Sequence, residues 1–585
     1  MAEDLNYSRK RFFLAFLVIL IFILIAGLFY WQILRGQELK ILSEEQAIRN
    51  QKQEGLRGQI YTSDGYLLVG NQEVYDLKLD RKNFTGDVDK LSQELAAIIA
   101  RENWQFQDAT DSASRIAVQQ QIESNLINKF NSQANWPQLA SQLSNQAKEE
   151  ILALNNPYLA FDSHFARFYP EASMAAHLTG FVGRDDDGQE IGRYGIEGAL
   201  EDELKPRKES GWFRTDALGA LLAGSNYQLK NLNGRDVTLS IRRDVQHIAE
   251  SNLAWGIEHY GADRGEIIIL DSRSGKILAL ATWPNYQQWQ YFKYPGEILK
   301  NPSLTRLYEP GSTFKVLTVA SAIDAGVINP TSVCTKCAGP RQFGTYTIRT
   351  WNDEYHANIN ITEALEKSDN VAMIFVAELL GQEKFIDYLK KFGIGQSLNI
   401  DLQDDGSTYF PQKIGPVELA TISFGQGIST NSLQLLKAVN VIANKGILLE
   451  PSILEKVYDH QLQEEIVINQ ESDRRVISPE TAALVSQMMV SSAAHGEAQW
   501  IASKRYTVAA KTGTSQVADP EGGYKSDETI ASFIGFAPAN DPQFTMLVKL
   551  ENPQSSPWAA ETAAPLWYKT ADKLMLLFNI APDLD

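Results

Sequence analysis

The chain has 585 residues, more than one hydrophobic core normally serves, so we expect two to four folded units. Hydrophobic residues make up 44% and charged residues 22%, a balance typical of globular proteins. The 54 basic and 72 acidic residues give a net charge of −18, and no large basic block is present, so we exclude a nucleic-acid-binding protein.

The N-terminal segment is typical of a membrane anchor. Phe12 to Trp31 reads FFLAFLVILIFILIAGLFYW, and at about 1.5 Å per residue this uncharged run can cross a bilayer core of roughly 30 Å. Basic residues at 9–11 precede it, so the positive-inside rule predicts a cytoplasmic N-terminus. A cleaved signal peptide is the alternative, but the run exceeds an h-region and no A-x-A site follows. We predict a cytoplasmic tail at 1–11, a transmembrane helix at 12–34 and an extracytoplasmic remainder.

Three segments follow the anchor. Gln32 to Glu54 is polar and helix-compatible, and we expect it to continue the membrane helix outward. Arg57 to Asn71 contains a Ser-Asp-Gly turn between two short β-like runs, which predicts a hairpin. Lys90 to Leu154 has apolar residues at helical spacing, which predicts two or three surface helices. The loop NLNGRD, Asn231 to Asp236, then suggests a domain boundary.

The pattern after residue 236 predicts an α+β fold. DVTLSI predicts a strand, Arg243 to Gly256 an amphipathic helix, and GEIIILD with KILALAT a hairpin that turns at Ser272 to Gly275. Further β-like runs lie near the C-terminus, at Tyr506–Ala510, Ala531–Ala537 and Phe544–Leu550. The residues between these two sets are mostly helical in pattern. We therefore predict an antiparallel sheet built from both ends of a domain, flanked and interrupted by helices.

The first candidate for chemistry is S-x-x-K at Ser312 and Lys315, within YEPGSTFK. Residues three apart share one face of a helix, so the lysine amine can approach the serine oxygen. A serine hydroxyl needs such a base, and the lysine serves as one only if burial and a nearby cation keep it neutral. Alone, the motif fits better a serine that caps a helix with a buried apolar face.

The pattern S-x-N occurs twice. Asn431, with Ser429, follows a Gly-rich turn and precedes a helical pattern, so helix capping explains it. Ser368, Asp369 and Asn370 instead lie in an apolar, helix-like context. These residue types compete with the helix backbone there, which favours a functional role for Ser368 and Asn370.

K-T-G occurs once, at Lys511 to Gly513, and Thr514 follows. The motif ends a β-like run, and Gly513 on a strand indicates close approach of another backbone or a ligand. Lys511 and Thr512 would offer a charge and a hydroxyl to a carboxylate. The order S-x-x-K, S-x-N, K-T-G is the motif set of class A β-lactamases and penicillin-binding proteins.

At these motifs the chain resembles the class B, monofunctional penicillin-binding proteins, the D,D-transpeptidases of peptidoglycan synthesis in division or elongation. Further matches are Arg57-Gly58-x-Ile60, Arg167-x-Tyr169-Pro170, Gly195-x-Glu197, the hairpin from Gly265, FGQG, ANKG and ASFIGFAP. The resemblance implies a transpeptidase domain at 236–585 on an elongated α/β pedestal at 35–235, with the stretch 90–154 as a helical insert. Ala510 replaces a common Gly, and we expect its methyl to narrow the site slightly.

The resemblance also implies roles for the motif residues. Ser312 is expected to be the acyl-accepting nucleophile, Lys315 its base and Ser368 a proton relay. Lys511 would bind the substrate carboxylate and lower the pKa of Lys315. The expected substrate-binding residues are Asn370, Thr512, Gly513 and Thr514, and backbone N–H groups of Ser312 and Thr514 would form the oxyanion hole. No metal or other cofactor is implied.

The implied partners are peptidoglycan stem peptides, β-lactam antibiotics, the membrane, a polytopic membrane glycosyltransferase and other cell-wall synthesis proteins. Division is favoured over elongation by overall size and the lack of a longer pedestal. A β-lactamase is disfavoured, because the nearest E-x-x-L-N match, Glu465 to Asn469, reads as a strand. A D,D-carboxypeptidase, an inactive scaffold and a penicillin sensor share some of the same features and are rival hypotheses.

The two cysteines, Cys334 and Cys337, form CTKC between the first two motifs. Outside the cytoplasm we expect either a disulfide that closes a small loop or two free thiols. A zinc half-site is the remaining possibility, although no other cysteine exists to complete it.

Overall fold

The computed structural model describes residues 2–39, 48–104, 112–214, 231–403, 409–468, 474–518 and 523–584. The chain forms two compact units. One comprises Met1–Leu56 with Pro206–Asn233, and the other comprises Arg57–Lys205 with Gly234–Asp585.

The first unit contains the predicted membrane segment. An α-helix at Ala2–Phe29 continues as a π-helix at Tyr30–Leu34. Among the described residues, Phe12–Leu34 is the helix long and apolar enough to cross a membrane. Its side chains are not buried in the protein, unlike those of a core helix. The segment is therefore consistent with a single-pass membrane anchor.

The expectation that Gln32–Glu54 continues this helix throughout is wrong. Ile48–Glu54 is a β-strand, and it pairs antiparallel with Lys208–Arg214 from Ile48 opposite Arg214 to Glu54 opposite Lys208. The pairing partner lies far away in sequence, so local helical pattern could not indicate it. Residues 40–47, which the same expectation covered, lie outside the described residues.

In the second unit, a seven-stranded sheet begins with the predicted hairpin. Ile60–Tyr61 pairs antiparallel with Leu67–Leu79, which confirms the hairpin. Ile60–Tyr61 also pairs parallel with Asp236–Leu239, the strand predicted at DVTLSI. The remaining strands of the sheet are Gln138–Leu143, Leu159–Phe168, Leu454–Asp459 and Glu464–Val467. The last of these confirms that the E-x-x-L-N match reads as a strand, although Asn469 lies outside the described residues.

The segment from 90 to 154 is helical, as predicted, but it also holds a strand. Its helices are Val88–Trp104, Ser112–Phe130 and Asn145–Leu152. The strand Gln138–Leu143 was not expected, and it pairs with Leu67–Leu79 of the pedestal hairpin. Buried residues of the insert, including Leu95, Leu126 and Leu143, share one apolar core with Leu77 and Leu79 of the neighbouring strand.

The sequence matches at Arg57, Arg167 and Glu197 meet at one buried carboxylate. Arg57 Nε donates to Glu197 Oε2 at 2.7 Å, and Arg167 Nε donates to Glu197 Oε1 at 2.6 Å. Arg57 Nη2 also lies 2.7 Å from Glu201 Oε2. Burial alone would raise the pKa of Glu197, but the two arginines outweigh burial and lower this pKa. Residues that are 30 and 140 positions from Glu197 in sequence thus meet at one anion.

A five-stranded antiparallel sheet forms the centre of the C-terminal part. Its strands, in spatial order, are Ile277–Trp283, Arg264–Asp271, Phe544–Glu551, Tyr524–Ala537 and Ala509–Ala518. The prediction of one sheet built from both ends of a domain is therefore confirmed. One face of this sheet packs on the helices Arg243–Tyr260 and Ala563–Leu577, where Trp567 is fully buried.

The other face packs on the helices that interrupt the sheet in sequence. Their core includes Phe314, Leu317, Ile534 and Leu547. The helices of eight or more residues are Lys315–Asp324, Asn370–Leu380, Gln382–Lys391, Ser432–Ala443 and Pro479–His495. Shorter helices include Ala176–Thr179, Gly195–Ala199, Glu201–Leu204, Gly296–Leu299, Pro302–Thr305, Ile361–Glu366 and Pro416–Ile422. Small two-stranded pairs are Phe181–Arg184 with Glu190–Arg193, Arg341–Phe343 with Tyr346–Ile348, and Ile447–Leu448 with Arg474–Arg475.

Candidate active site

Ser312 lies at the start of a buried helical segment. A 3-10 helix at Gly311–Phe314 leads directly into the α-helix Lys315–Asp324. The N–H of Gly311 donates to the carbonyl of Gly425 at 3.0 Å, so YEPGSTFK packs against FGQG. A Cβ on Gly425 would lie 2.2 Å from the carbonyl oxygen of Gly311, which explains the glycine at this contact.

Lys315 connects this segment to the S-x-N motif. Its side chain is fully buried, and its Nζ donates to the carbonyl oxygen of Ser368 at 2.5 Å and to Ser368 Oγ at 3.2 Å. The first two predicted motifs therefore meet through the lysine amine.

The helical context predicted for Ser368 is wrong. Ser368 lies between the helices Ile361–Glu366 and Asn370–Leu380, with a positive φ of 54°. Asp369 caps the second helix, because its side chain accepts a hydrogen bond from Ala372 N at 3.0 Å. The polar residues thus mark a helix start, where they are favourable. Asn370 follows, and its Nδ2 donates to the carbonyl of Arg349 at 3.1 Å.

The second S-x-N copy is structural, as predicted. Asn431 caps the helix Ser432–Ala443, and its side chain accepts a hydrogen bond from Gln434 N at 2.8 Å.

The K-T-G motif lies on the strand Ala509–Ala518 at one edge of the five-stranded sheet. The strand predicted at Tyr506–Ala510 is therefore misplaced, because it begins at Ala509 and continues through K-T-G instead of ending there. Lys511 is buried, and its Nζ donates to Thr512 Oγ1 at 2.9 Å. A Cβ on Gly513 would lie 2.7 Å from Thr313 Cγ2 and 3.1 Å from the carbonyl oxygen of Pro310. The predicted close approach at Gly513 is therefore present, and it brings the strand against the segment that carries Ser312.

Thr514 and Ala510 lie on the same strand. Thr514 Oγ1 accepts a hydrogen bond from Ala559 N at 3.1 Å, which ties the strand to the loop before the last helix. Ala510 is buried in the core on the face that packs against Ala563–Leu577, next to Gly535. Successive side chains of a strand point to opposite faces, so the Ala510 methyl points away from Lys511. The expectation that this methyl narrows the site is wrong.

The electrostatics of the site favour a neutral amine on Lys315. Burial and the nearby cation of Lys511 lower the pKa of Lys315 to about 7, against the smaller opposing effects of Glu497 and Asp369. Both conditions required for Lys315 to act as a base are therefore met. Burial also lowers the pKa of Lys511, although Glu497 opposes this shift.

One residue of the site was not predicted from the sequence. Glu497 follows the helix Pro479–His495, and its Oε2 accepts a hydrogen bond from Thr512 Oγ1 at 2.7 Å. Glu497 belongs to none of the motifs identified in the sequence. Its contact with the K-T-G strand spans 15 residues, so no short sequence pattern indicates it.

Cys334 and Cys337 form a disulfide, and both are buried. Of the possibilities left open by the sequence, the small-loop disulfide is therefore the one observed. In the part of the chain that the structure describes, no group of three or more histidine, cysteine or acidic residues could hold a metal ion.

Comparison with known protein families gives two matches along the chain. The family described as "Penicillin binding protein transpeptidase domain" matches residues 265–572, and the family described as "Penicillin-binding Protein dimerisation domain" matches residues 52–239.

Curated relatives extend over most of the sequence. Stage V sporulation protein D of Bacillus subtilis is 31% identical over 95% of this chain and 84% of its own length. The peptidoglycan D,D-transpeptidase FtsI of Escherichia coli is 28% identical over 76% of this chain and 73% of its own length. The fold matches a crystal structure of penicillin-binding protein 3 from Mycobacterium tuberculosis in complex with ampicillin. That match has a TM-score of 0.69 at 22% identity, and it covers 92% of this chain and 98% of the other.

A transpeptidase domain that follows a dimerisation domain defines a class of penicillin-recognising proteins. This chain belongs to the penicillin-binding protein transpeptidase family, and within it to class B.

Proposed function

We propose that this chain is a peptidoglycan D,D-transpeptidase that cross-links stem peptides through an acyl-enzyme on Ser312. The observation that carries the proposal is the buried amine of Lys315, which bonds to Ser368 and has a pKa of about 7 beside Lys511. Family membership and the relatives named as D,D-transpeptidases support it.

In the first step, the neutral amine of Lys315 accepts the hydroxyl proton while Ser312 Oγ attacks the penultimate D-Ala carbonyl of the donor peptide. Backbone N–H groups of Ser312 and Thr514 stabilise the negative oxygen that forms. The bond to the terminal D-Ala then breaks. The proton passes from Lys315 through Ser368 to the amine of this D-Ala, which leaves the site. The hydrogen bond between these two side chains supports this route.

The donor peptide is held on both sides of Ser312. Lys511 binds its terminal carboxylate, and Thr512 contributes by holding Lys511 in place, since its hydroxyl accepts a hydrogen bond from Lys511 Nζ. Asn370 binds the peptide through its amide, and Gly513 lets the K-T-G strand lie close to the nucleophile. In the second step, an amine of a neighbouring stem peptide attacks the acyl-enzyme and forms the cross-link. β-Lactams acylate Ser312 in place of the donor.

The setting of this reaction is the outer side of the cytoplasmic membrane. We assign 1–11 to the cytoplasm, 12–34 to the membrane, 35–235 to the pedestal and 236–585 to the transpeptidase domain. A polytopic membrane glycosyltransferase would supply the glycan strands, and the FtsI proteins among the relatives support a division role. A fluorescent fusion at the septum would support division, whereas labelling along the side wall would assign the protein to elongation.

Labelling with fluorescent penicillin tests the acyl-enzyme directly. The wild-type chain should be labelled covalently, and Ser312→Ala should not be labelled although it folds. Absence of labelling in the wild type would favour an inactive scaffold instead. A penicillin sensor would be labelled as well, so cross-link formation has to be measured separately.

A further inference from the structure

Glu497 lies beside the K-T-G strand and bonds to it. Its Oε2 accepts a hydrogen bond from the Thr512 hydroxyl at 2.7 Å. The oxygen of that hydroxyl in turn accepts a hydrogen bond from Lys511 Nζ at 2.9 Å. Lys511 and Thr512 are both buried, with exposed fractions of 1% and 5%. Glu497 itself is half-buried, at the edge of a cavity of about 210 Å³ that Asp369 also lines.

The chain of hydrogen bonds has a direction. A hydroxyl carries one proton, and the Thr512 hydroxyl donates it to Glu497. Its lone pairs are thereby presented to the ammonium of Lys511, which has only donors. The carboxylate therefore fixes the rotation of the hydroxyl and, through it, the position of the lysine amine. Hydrogen bonds to a charged acceptor are stronger than neutral ones, which makes this orientation firm.

Glu497 also places a negative charge near the two buried lysines of the site. It acts to raise the pKa of Lys511 and, together with Asp369, that of Lys315, against burial and the repulsion between the lysines. The other ionisable groups that line the cavity are Glu354, His356, Glu366, Lys367 and His495, and His495 lies 4.0 Å from Glu366. Of these groups, Glu497 is the one that bonds to the K-T-G motif in this structure.

We propose that Glu497 is a positioning residue of the transpeptidase site, which orients the Thr512 hydroxyl and Lys511 and balances the charge of the two buried lysines. This inference rests on the proposed function, because it concerns the same site. Glu497 lies outside the three motifs. It acts on the reaction only through Thr512, Lys511 and Lys315.

The test compares three substitutions at this position in the full-length chain. The measured quantity is the rate of Ser312 acylation by fluorescent penicillin as a function of pH. Glu497→Gln keeps a hydrogen-bond acceptor but removes the charge, Glu497→Ala removes both, and Glu497→Asp keeps the charge. Glu354→Gln, which removes a carboxylate from the lining of the same cavity, is the matched control.

The expected results separate charge from positioning. The acylation rate should rise with pH as Lys315 loses its proton, and this rise is the acidic limb of the pH profile. Loss of the negative charge makes protonation of Lys315 less favourable, so Glu497→Gln and Glu497→Ala should move the acidic limb to lower pH by about half a unit to one unit. Glu497→Gln should keep the plateau rate within about threefold, whereas Glu497→Ala should lower it about tenfold through lost orientation. Glu497→Asp and Glu354→Gln should keep the wild-type limb.

Two outcomes would overturn the inference. An unchanged acidic limb in both uncharged variants would remove the charge role, and equal plateaus for Glu497→Gln and Glu497→Ala would remove the positioning role. Either result with a normally acylated wild type leaves the proposed function standing. If the wild type itself is not acylated on Ser312, the proposed function fails, so the two failures are distinguishable.

Discussion

Lys315 Nζ donates to both oxygen atoms of Ser368, at 2.5 Å to the carbonyl and 3.2 Å to Oγ. Ser368 can receive both bonds because it lies between two helices with a φ of 54°, outside the helical hydrogen-bond pattern. The lysine amine is thus held away from solvent by a residue that also offers a hydroxyl.

Acylation of Ser312 should depend on pH with an acidic limb. Lys315 has a pKa of about 7, so below this pH its amine carries a proton and cannot accept another. We expect the acylation rate to rise with pH through about 7 and then level off. Stopped-flow measurement with fluorescent penicillin checks this. A rate that falls across the same range would contradict a lysine base.

Lys511→Ala should move this acidic limb to higher pH. The cation of Lys511 helps to lower the pKa of Lys315, so its removal lets the amine keep its proton to higher pH. The rate will also drop through loss of carboxylate binding, so the profiles are compared after normalisation to their plateaus. A limb that stays in place would show that Lys511 does not act on Lys315.

Ser368→Ala should reduce acylation of Ser312 by about 10²- to 10⁴-fold, the usual contribution of a residue that relays a proton. The backbone carbonyl bond to Lys315 remains in this variant, so the chain should still fold. Ser429→Ala, in the other S-x-N copy, is the matched control and should leave the rate unchanged. Equal rates for the two variants would contradict the relay role of Ser368.

Glu197→Gln should destabilise the pedestal. The substitution removes the charge that Arg57 and Arg167 share in a buried site, and breaking a buried ion pair typically costs about 3–5 kcal/mol. Glu465→Gln is the control, because its pair with Lys456 is exposed and should contribute at most about 1 kcal/mol. Chemical unfolding of the full-length chain in detergent measures both. Similar losses in the two variants would contradict the structural role of Glu197.

Replacement of both Cys334 and Cys337 by serine should lower stability by about 2 kcal/mol at most, because the disulfide closes a very short loop. Acylation of Ser312 should be unchanged, since the disulfide joins two residues that lie outside the three motifs. Mass measurement before and after reduction, with alkylation of free thiols, checks the bond itself. Thiols alkylated without reduction would contradict the disulfide.

Much of the fold could be predicted from local pattern. The apolar run from Phe12, the hairpin after Arg57 and four of the five strands of the C-terminal sheet each carry their information within a few residues. The strand predicted at Tyr506–Ala510 instead runs from Ala509 to Ala518. The strands Ile48–Glu54 and Gln138–Leu143 could not be predicted in this way. Each is polar or mixed in sequence, and each is stabilised by pairing with a strand that is distant along the chain.

The site, like the fold, has residues that could be predicted from local sequence and one that could not. The motifs that hold Ser312, Ser368 and Lys511 could be identified from the sequence, because each combines specific residue types at a fixed short spacing. The helical context predicted for Ser368 is wrong, since Asp369 caps a helix that begins there rather than interrupting one. Glu497 could not be found, because its link to Thr512 is a single side-chain contact between separate elements.

Ser312 is proposed to catalyse cross-linking of peptidoglycan and not only to bind penicillin. The most direct measurement supplies the full-length chain, together with a glycan-polymerising enzyme, with peptidoglycan precursor and examines the digested product by mass spectrometry. We predict cross-linked dimers of stem peptides with the wild-type chain and none with Ser312→Ala. A wild-type chain that binds penicillin on Ser312 yet forms no dimers would contradict the proposed activity.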